Sequence, residues 1–166
     1  NNIAENKNKK FAIHLKIDTG MARLGCDCDE VEELICKIDC LENISLEGIY
    51  SHLAIADIDL EDDTQLSFTQ IQLNRFEKVL KGLGKRNKLV CRHLANSAGT
   101  LSDSRLHFDM VRVGLSLYGY FPVNDFESNL KLNPALKVKA RVTLVRDVGK
   151  GIGVGYGHFF KTQRES

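Results

Sequence analysis

Two segments of the chain combine a basic side chain with glycine just after an apolar, strand-like run. Residues 15–25 carry Lys16 and Arg23, and residues 108–119 carry Arg112. Arg112 interrupts a run otherwise apolar enough for a buried strand, and a buried guanidinium, which only donates hydrogen bonds, needs an acceptor. Strand C-termini and the loops after them line the active face of a (β/α)₈ barrel. Both segments therefore predict a ligand-binding or catalytic edge.

Three polar side chains of the first segment share one face of the predicted strand. His14, Lys16 and Asp18 are spaced two residues apart, and burying them is costly unless they are paired. A solvated edge strand explains the same pattern. The turn at 19–23 then brings the guanidinium of Arg23 close to the strand end.

His52 and Tyr156 are two further candidates, each with a plainer structural alternative. His52 ends a predicted strand and precedes an acidic loop at 57–63, whose carboxylates would raise its pKa. A single histidine at a strand end is more often a structural hydrogen-bonding group. Tyr156 lies among the glycines of 153–157, where a phenol can come close to a ligand, although a glycine-rich β-turn accounts for the same residues.

A possible anion site follows the strand predicted at 89–94. Ser97 and the backbone amides after it would present donors to a phosphate, as helix N-termini do. An N-cap formed by Asn96 or Ser97 is the alternative. Gly114 marks a second place where backbone can approach a phosphate closely.

The elements that carry these residues alternate between strand and helix. Strands are predicted at 11–18, 46–52, 89–94 and 108–112, and helices at 29–38 and from Asp62 or Asp63 to Gly84. A spacing of roughly 35–40 residues indicates parallel βα units. An open doubly wound sheet fits as well, but its glycine-rich nucleotide fingerprint is absent, which favours a (β/α)₈ barrel. Four strands predict the C-terminal half of such a barrel, over 1–121.

The pattern changes in the last quarter of the chain. Residues 136–146 alternate apolar and polar side chains, as in a half-exposed strand of an antiparallel sheet. Residues 122–134 are typical of a linker. We therefore predict the start of a β-rich C-terminal domain at 135–166.

Composition excludes several classes of function. The formal net charge of the 166 residues is +1, which does not indicate nucleic acid or an anionic membrane as partner. No apolar run approaches the roughly 20 residues of a membrane span, and the polar N-terminal residues carry no secretory signal, so we expect a cytoplasmic protein. The five cysteines match no familiar zinc spacing and are interpreted as reduced thiols, with no metal site. They are Cys26, Cys28, Cys36, Cys40 and Cys91.

Five motifs, in this order, resemble those of alanine racemases of the fold-type III pyridoxal 5'-phosphate (PLP) class. They are Lys-Ile-Asp-Thr-Gly-Met-x-Arg-Leu-Gly (16–25), Ser-His-Leu-Ala-x-Ala-Asp (51–57), His-x-Ala-Asn-Ser-Ala (93–98), Val-Arg-x-Gly-Leu-x-Leu-Tyr-Gly (111–119) and Gly-Tyr-Gly (155–157). The resemblance implies a homodimer in which the barrel of one subunit meets the β-domain of the other. It also implies a bacterial enzyme that interconverts L- and D-alanine with two bases and supplies D-alanine for peptidoglycan.

The resemblance assigns the reacting groups. Arg112 matches the arginine that donates to the pyridine nitrogen of PLP, which leaves that nitrogen unprotonated and weakens the electron sink. Tyr156 matches the tyrosine that removes the α-hydrogen of L-alanine in the partner's site. His52 matches the histidine that links this tyrosine to the arginine.

The resemblance also assigns binding residues. Ser97, Gly114 and Leu115 match positions that hold the phosphate, and His93 and Asn96 match positions at the cofactor. Arg23 matches the arginine that contacts the substrate carboxylate and the phenolate oxygen of the cofactor. Lys16 matches a lysine that is carbamylated in many members.

The family's cofactor-anchoring lysine lies in a Lys-Ala-x-Ala-Tyr-Gly motif that these 166 residues do not contain. We therefore expect the segment alone to lack racemase activity. Two alternatives to an alanine racemase are a serine/alanine racemase domain of the vancomycin-resistance type and a non-catalytic PLP-binding barrel protein.

Overall fold

The computed structural model describes residues 2–7, 9–56, 68–122 and 130–165. The chain divides into two compact units, Asn1–Ala135 and Leu136–Ser166. Most of the predicted linker at 122–134, the acidic loop at 57–63 and the predicted helix start at Asp62 or Asp63 lie outside the described residues.

The first unit alternates strands and helices, and the second contains two short strands. The helices are α1 (Asn2–Asn6), α2 (Val31–Asp39), α3 (Phe68–Gly82) and α4 (Ser97–Ser102), and the strands are β1 (Phe11–Lys16), β2 (Ile44–Tyr50), β3 (Cys91–His93), β4 (Gly153–Val154) and β5 (Phe160–Lys161). Short 3₁₀ helices cover Gly84–Lys88, Ser104–Leu106, Leu115–Tyr118 and Tyr156–His158. No helix among the described residues has both the length and the hydrophobicity of a membrane span.

The first three strands form a parallel sheet in the order β1-β2-β3, which confirms the predicted βα order. The register aligns Lys16 with Tyr50 and Tyr50 with His93, so the C-terminal ends of the three strands lie side by side. Side chains in register on adjacent strands point to the same face of a sheet. Lys16, Tyr50 and His93 therefore lie on the same face, at the edge formed by the C-terminal ends of the strands.

The other face of the sheet packs against α2 and α3. Ile35 of α2 and Phe76 and Leu80 of α3 lie in the core. Helix α2 carries acidic residues in its first turn and Lys37 in its last, which suits the helix dipole. Gly84 follows α3 with φ +55°, as a residue that ends a helix does.

The fourth predicted strand, 108–112, is wrong. Phe108 has a φ of +50°, which belongs to a turn rather than a strand. Asp109 and Arg112 donate their backbone N–H groups to the carbonyls of Arg92 and Ala95. These donors are three residues apart, whereas a parallel ladder uses every second residue. The segment therefore lies beside β3 without pairing as a strand.

The predicted strand at 136–146 is wrong in its pairing. None of its residues joins a strand ladder within the described part of the chain. Its apolar side chains are exposed, including Val138 at 89% and Val142 at 80%. The alternation indicated a two-faced strand, but a strand exists only with a partner to accept its backbone hydrogen bonds. In this unit the antiparallel pair is β4 with β5.

Candidate active site

Arg112 lies half-buried at the C-terminal edge of the parallel sheet. Its guanidinium carbon is 5.0 Å from the centroid of the Tyr50 ring. That ring stacks on His93, with centroids 4.8 Å apart and an interplanar angle of 10°. The cation therefore rests on an aromatic surface formed by the last residues of β2 and β3.

Both terminal nitrogens of the Arg112 guanidinium donate hydrogen bonds to acceptors within the protein. Nη1 donates to Nδ1 of His93 at 2.6 Å, and Nη2 donates to the carbonyl of Ser51 at 2.6 Å and to Nδ1 of His52 at 3.2 Å. A contact of 3.3 Å joins Nη2 to the carbonyl of Leu94. None of these bonds uses Nε, and no carboxylate among the described residues forms an ion pair with this arginine.

The bonds from Arg112 determine where the two histidines carry their protons. A guanidinium only donates, so Nδ1 of His52 and of His93 must accept, and a neutral imidazole then carries its proton on Nε2. Burial lowers the pKa of both rings, and the charge of Arg112 lowers it further, for His93 to about 4. The expected rise in the pKa of His52 depended on carboxylates at 57–63, and the described surroundings lower it instead.

A pH titration tests this electrostatic picture. We expect His93 to stay neutral from pH 8 down to about pH 5, because its pKa is lowered to about 4. The measurement is a nuclear magnetic resonance (NMR) titration of the full-length protein, without cofactor, labelled at histidine. Arg112→Gln is the comparison variant, and removing the neighbouring cation should raise the pKa of His93. A ring that titrates identically in both proteins would contradict the assignment.

Asp18 shapes the turn that follows β1. Its Oδ1 accepts hydrogen bonds from the backbone N–H groups of Gly20 at 2.8 Å and Ala22 at 3.1 Å, and these bonds lower its pKa. Gly20 has φ +140° and Ala22 has φ 54°, so the turn passes through conformations that most residues avoid. The carboxylate thus closes the turn that presents Arg23.

Lys16 and Arg23 influence the same edge of the sheet. Nζ of Lys16 donates to the carbonyl of Leu24, next to Arg23 in the turn. Burial and the charges of Arg23 and Arg112 lower the pKa of Lys16, although a nearby carboxylate opposes them. After burial and the charge of Arg112, the charges of Arg23 and Lys16 also lower the pKa of His52.

The predicted phosphate residues surround a small polar cradle. Oγ of Ser97 accepts from the backbone N–H groups of Gly114 at 2.9 Å and Ser116 at 3.3 Å. Oγ of Ser116 is the buried side-chain oxygen that has no hydrogen-bond partner in the described part of the chain. A Cβ added to Gly114 would meet nothing nearer than Oγ of Ser97 at 3.9 Å, so space lies open over this backbone.

Asn96 and Leu115, also assigned to the cofactor by the resemblance, contribute differently. Asn96 caps α4, since its Oδ1 accepts from the N–H of Gly99 at 3.0 Å, and its Nδ2 donates to the carbonyl of Leu53 at 3.3 Å. Both ends of this amide are thus used within the protein. Leu115 begins a 3₁₀ helix with a half-exposed side chain. Cofactor contacts of these two residues stay predictions.

Sequence reasoning missed a buried residue that holds the backbone at His52. Gln72 of α3 is fully buried, donates to the carbonyl of His52 at 2.9 Å and accepts from the N–H of Ala54 at 2.8 Å. It also donates to Oγ1 of Thr19 at 3.1 Å. A signal was present, because Gln72 precedes the core residue Phe76 by four positions and so shares its helix face.

Tyr156 lies in the turn between β4 and β5. Gly155 and Gly157 on either side have φ values of +73° and +70°, which glycine adopts without strain. The Tyr156 ring is fully exposed. The segment is therefore a glycine-rich turn, and this turn also exposes the phenol of Tyr156.

Two of the cysteines contact the backbone at the end of β1: Sγ of Cys26 donates to the carbonyl of Lys16 at 3.4 Å, and Sγ of Cys28 donates to the carbonyl of Asp18 at 3.6 Å. All five are free thiols, and burial raises the pKa of Cys26 and Cys28. Within the described residues, no three or more His, Cys, Asp or Glu side chains form a group that could hold a metal ion.

A parallel βα sheet with cationic and histidine side chains at its strand ends is the arrangement expected in part of a (β/α)₈ barrel, and comparisons with known proteins identify the family. The family model described as "Alanine racemase, N-terminal domain" matches residues 1–122. The chain belongs to this family, and its fold is part of such a barrel.

Individual relatives agree. Alanine racemase of Prochlorococcus marinus is 56% identical over 166 residues, which are 100% of this chain and 43% of that protein. The structure of alanine racemase from D-cycloserine-producing Streptomyces lavendulae matches with TM-score 0.78 and 32% identity, covering 98% of this chain and 43% of that one. Alanine racemase from Bartonella henselae with covalently bound pyridoxal phosphate matches with TM-score 0.70 and 35% identity, covering 99% and 43%. The chain thus spans less than half the length of these relatives.

Proposed function

We propose that this chain is part of a PLP-dependent alanine racemase. The observation that carries the proposal is the guanidinium of Arg112, which is fixed through Nη1 and Nη2 while Nε has no bond among the described residues. A rigid, permanently charged donor suits a pyridine nitrogen that must stay unprotonated. The relative from Bartonella henselae carries covalently bound pyridoxal phosphate, which supports the same cofactor here.

The residues present fit PLP. Oγ of Ser116, which has no hydrogen-bond partner among the described residues, and the open space over Gly114 leave a hydroxyl and bare backbone available to a phosphate. The hydroxyl hydrogen of Ser97 is also available to donate, because its oxygen is the acceptor for two backbone N–H groups. When bound, PLP would supply the electron sink that stabilises negative charge on the substrate α-carbon.

His52 would connect Arg112 to the base that acts on L-alanine. Since Nδ1 of His52 accepts from Arg112, its Nε2–H is a donor. We assign that donor to the phenolate of Tyr156 of the partner subunit. A hydrogen bond to the charged form lowers the pKa of a phenol and makes it a usable base. Tyr156 is fully exposed in its turn, so its phenol is accessible to the active site of another subunit.

Lys16 and Arg23 would act together on the substrate side of the site. Burial and two cations lower the pKa of Lys16, which raises the fraction of neutral amine that can react with carbon dioxide. The resulting carbamate would be an anion that orients the guanidinium of Arg23 toward the substrate carboxylate. We include this carbamylation, the homodimer, the cytoplasmic location and the supply of D-alanine to peptidoglycan in the proposal.

Activity of the full-length protein tests the proposal. We would incubate it with PLP and L-alanine and measure D-alanine with a stereospecific oxidase, with L-serine in a parallel reaction. Formation of D-alanine faster than D-serine supports the assignment. No D-alanine above the protein-free blank would refute it, and faster D-serine formation would replace alanine by serine as the substrate.

The phosphate cradle yields a separate prediction for the full-length protein. We expect Ser97→Ala to weaken PLP binding by about 10- to 100-fold, since hydrogen bonds to charged groups contribute roughly 1.5–3 kcal/mol. The measurement is the dissociation constant from quenching of protein fluorescence. Ser102→Ala, at the exposed end of the same helix, is the matched control and should bind PLP normally. Equal affinities of the two variants would remove Ser97 from the phosphate site.

A further inference from the structure

His14 lies at the same edge of the sheet with its side chain exposed, and the proposed function leaves it without a role. Its Nδ1 lies 2.7 Å from Nε2 of His93, and the two ring centroids are 4.9 Å apart. The contact joins residues 79 positions apart in the chain. His93 is only 3% exposed, so its Nε2 has little access to water and depends on this neighbour.

Gly48 makes room for that contact. His14 pairs with Gly48 in the sheet, immediately after a register shift that leaves Glu47 of β2 without a partner in β1. A Cβ at position 48 would come within 2.6 Å of three atoms of the His14 ring. The ring therefore lies over the bare backbone of β2 to reach His93 on the far side of that strand. The φ of Gly48 is not in the left-handed region, so its backbone conformation does not require glycine. Glycine is needed at position 48 only to leave space for the His14 ring.

The direction of each hydrogen bond follows from the chemistry of the groups. The guanidinium of Arg112 only donates, so His93 accepts on Nδ1 and carries its proton on Nε2. Nε2 of His93 must then donate, and Nδ1 of His14 must accept. Two hydrogens cannot lie between the rings at this distance, so Nδ1 of His14 carries none in this arrangement. The bonds run in one direction, from Arg112 through His93 to His14.

We propose that His14 is a positioning residue for the arginine of the cofactor site. By accepting from Nε2, it keeps His93 in the one tautomer that can accept from Arg112, and thereby fixes the guanidinium. Without this acceptor, His93 can move its proton to Nδ1 or rotate its ring, and either change removes the 2.6 Å bond to Nη1. The effect of His14 on the cofactor site rests on the proposed function. Its effect on the tautomer of His93 does not depend on that function.

Three substitutions of His14 in the full-length protein test the idea. His14→Phe keeps the ring but cannot accept, His14→Gln restores an acceptor oxygen, and His14→Ala removes the ring. We expect His14→Phe to lower kcat by on the order of tenfold, the effect of one modest hydrogen bond, with KM for alanine changed by less than about twofold. His14→Gln should recover most of this loss. The control His107→Gln alters a histidine that bonds instead to the carbonyl of Thr100.

The direct readout is the tautomer of His93 in the cofactor-free protein, measured by ¹⁵N NMR of labelled histidines. The wild type and His14→Gln should show a single Nε2–H form, and His14→Phe a mixture. A single Nε2–H form in His14→Phe overturns the proposal, as does a kcat loss that His14→Gln does not recover. If the wild type forms no D-alanine, the proposed function fails while the tautomer still decides the role of His14.

Gly48→Ala provides an independent route that removes no polar group. The added methyl group should push the His14 ring away and reproduce the effects of His14→Phe on kcat and on the tautomer. In the His14→Ala background the same methyl group meets no ring, so Gly48→Ala should add no further loss. Equal losses in both backgrounds would show a general effect on the sheet and would overturn the proposal. This pair also carries the test should His14→Phe fail to fold.

Discussion

Replacement of Tyr156 by phenylalanine in the full-length protein is expected to lower kcat for racemisation by about 10³-fold, within the range that a general base contributes. The substitution removes only the phenol oxygen, and Tyr156 lies in a turn whose glycines, not its ring, determine the backbone. Cofactor affinity should therefore stay within about twofold of the wild type, since no lost group touches PLP. Racemisation rates and fluorescence titration with PLP measure the two quantities.

The direction of the effect has a specific signature. The equilibrium constant between enantiomers is one, so kcat/KM must fall equally from L- to D-alanine and from D- to L-alanine. Exchange of the α-hydrogen with deuterated solvent separates the two bases, because only the exchange of L-alanine needs the phenol. D-alanine should still exchange. Tyr118→Phe is the matched control, and full activity of Tyr156→Phe in both directions would show that the base assignment is wrong.

Arg112→Glu is expected to retain PLP but to lower kcat by at least about 10²-fold, since it leaves four acceptors without their donor. A carboxylate would also favour a protonated pyridine nitrogen, which makes the cofactor a stronger electron sink. Transamination, measured as pyruvate formed from alanine, should increase. The reversed charge should raise the pKa of His52 and His93, both of which the native arginine lowers.

Two comparison variants separate charge from geometry. Arg112→Lys keeps a cation but cannot reach all four acceptors at once, so its loss should be smaller than that of the glutamate variant. Arg105→Gln removes an exposed arginine that pairs with Asp103 and should leave activity and absorption unchanged. An unaltered cofactor spectrum together with an unaltered rate in Arg112→Glu would remove Arg112 from the cofactor site.

The βα order and the strand-end locations of the key residues followed from sequence alone. Alternation and helical spacing report which face of an element is apolar, and this property is local to each segment. Helices at 29–38 and up to Gly84 were predicted for this reason. His52 was predicted to end its strand and lies two residues beyond β2, and His93 was predicted within the strand at 89–94 and is the last residue of β3. The motifs that assign the family are equally local, because each is a short run of consecutive residues.

Strand pairing was predictable only where local pattern and partner agreed. The segment at 108–112 is apolar enough for a strand, yet its backbone bonds to β3 are spaced by three residues. The segment at 136–146 alternates correctly, yet no ladder includes it in the part of the chain that the structure describes. In both places the deciding factor is the register of a second segment, which alternation does not encode.

The sequence by itself determined the class of fold, the family and the residue types at the strand ends. Only the tertiary structure decided how these side chains are connected. The bonds from Arg112 to His93 and His52 span 19 and 60 positions, and the bond from His93 to His14 spans 79. Such contacts depend on the register of three strands and on a glycine that leaves space for a ring. The physical reason is that tautomer and pKa respond to neighbours in space, whereas sequence patterns report neighbours along the chain.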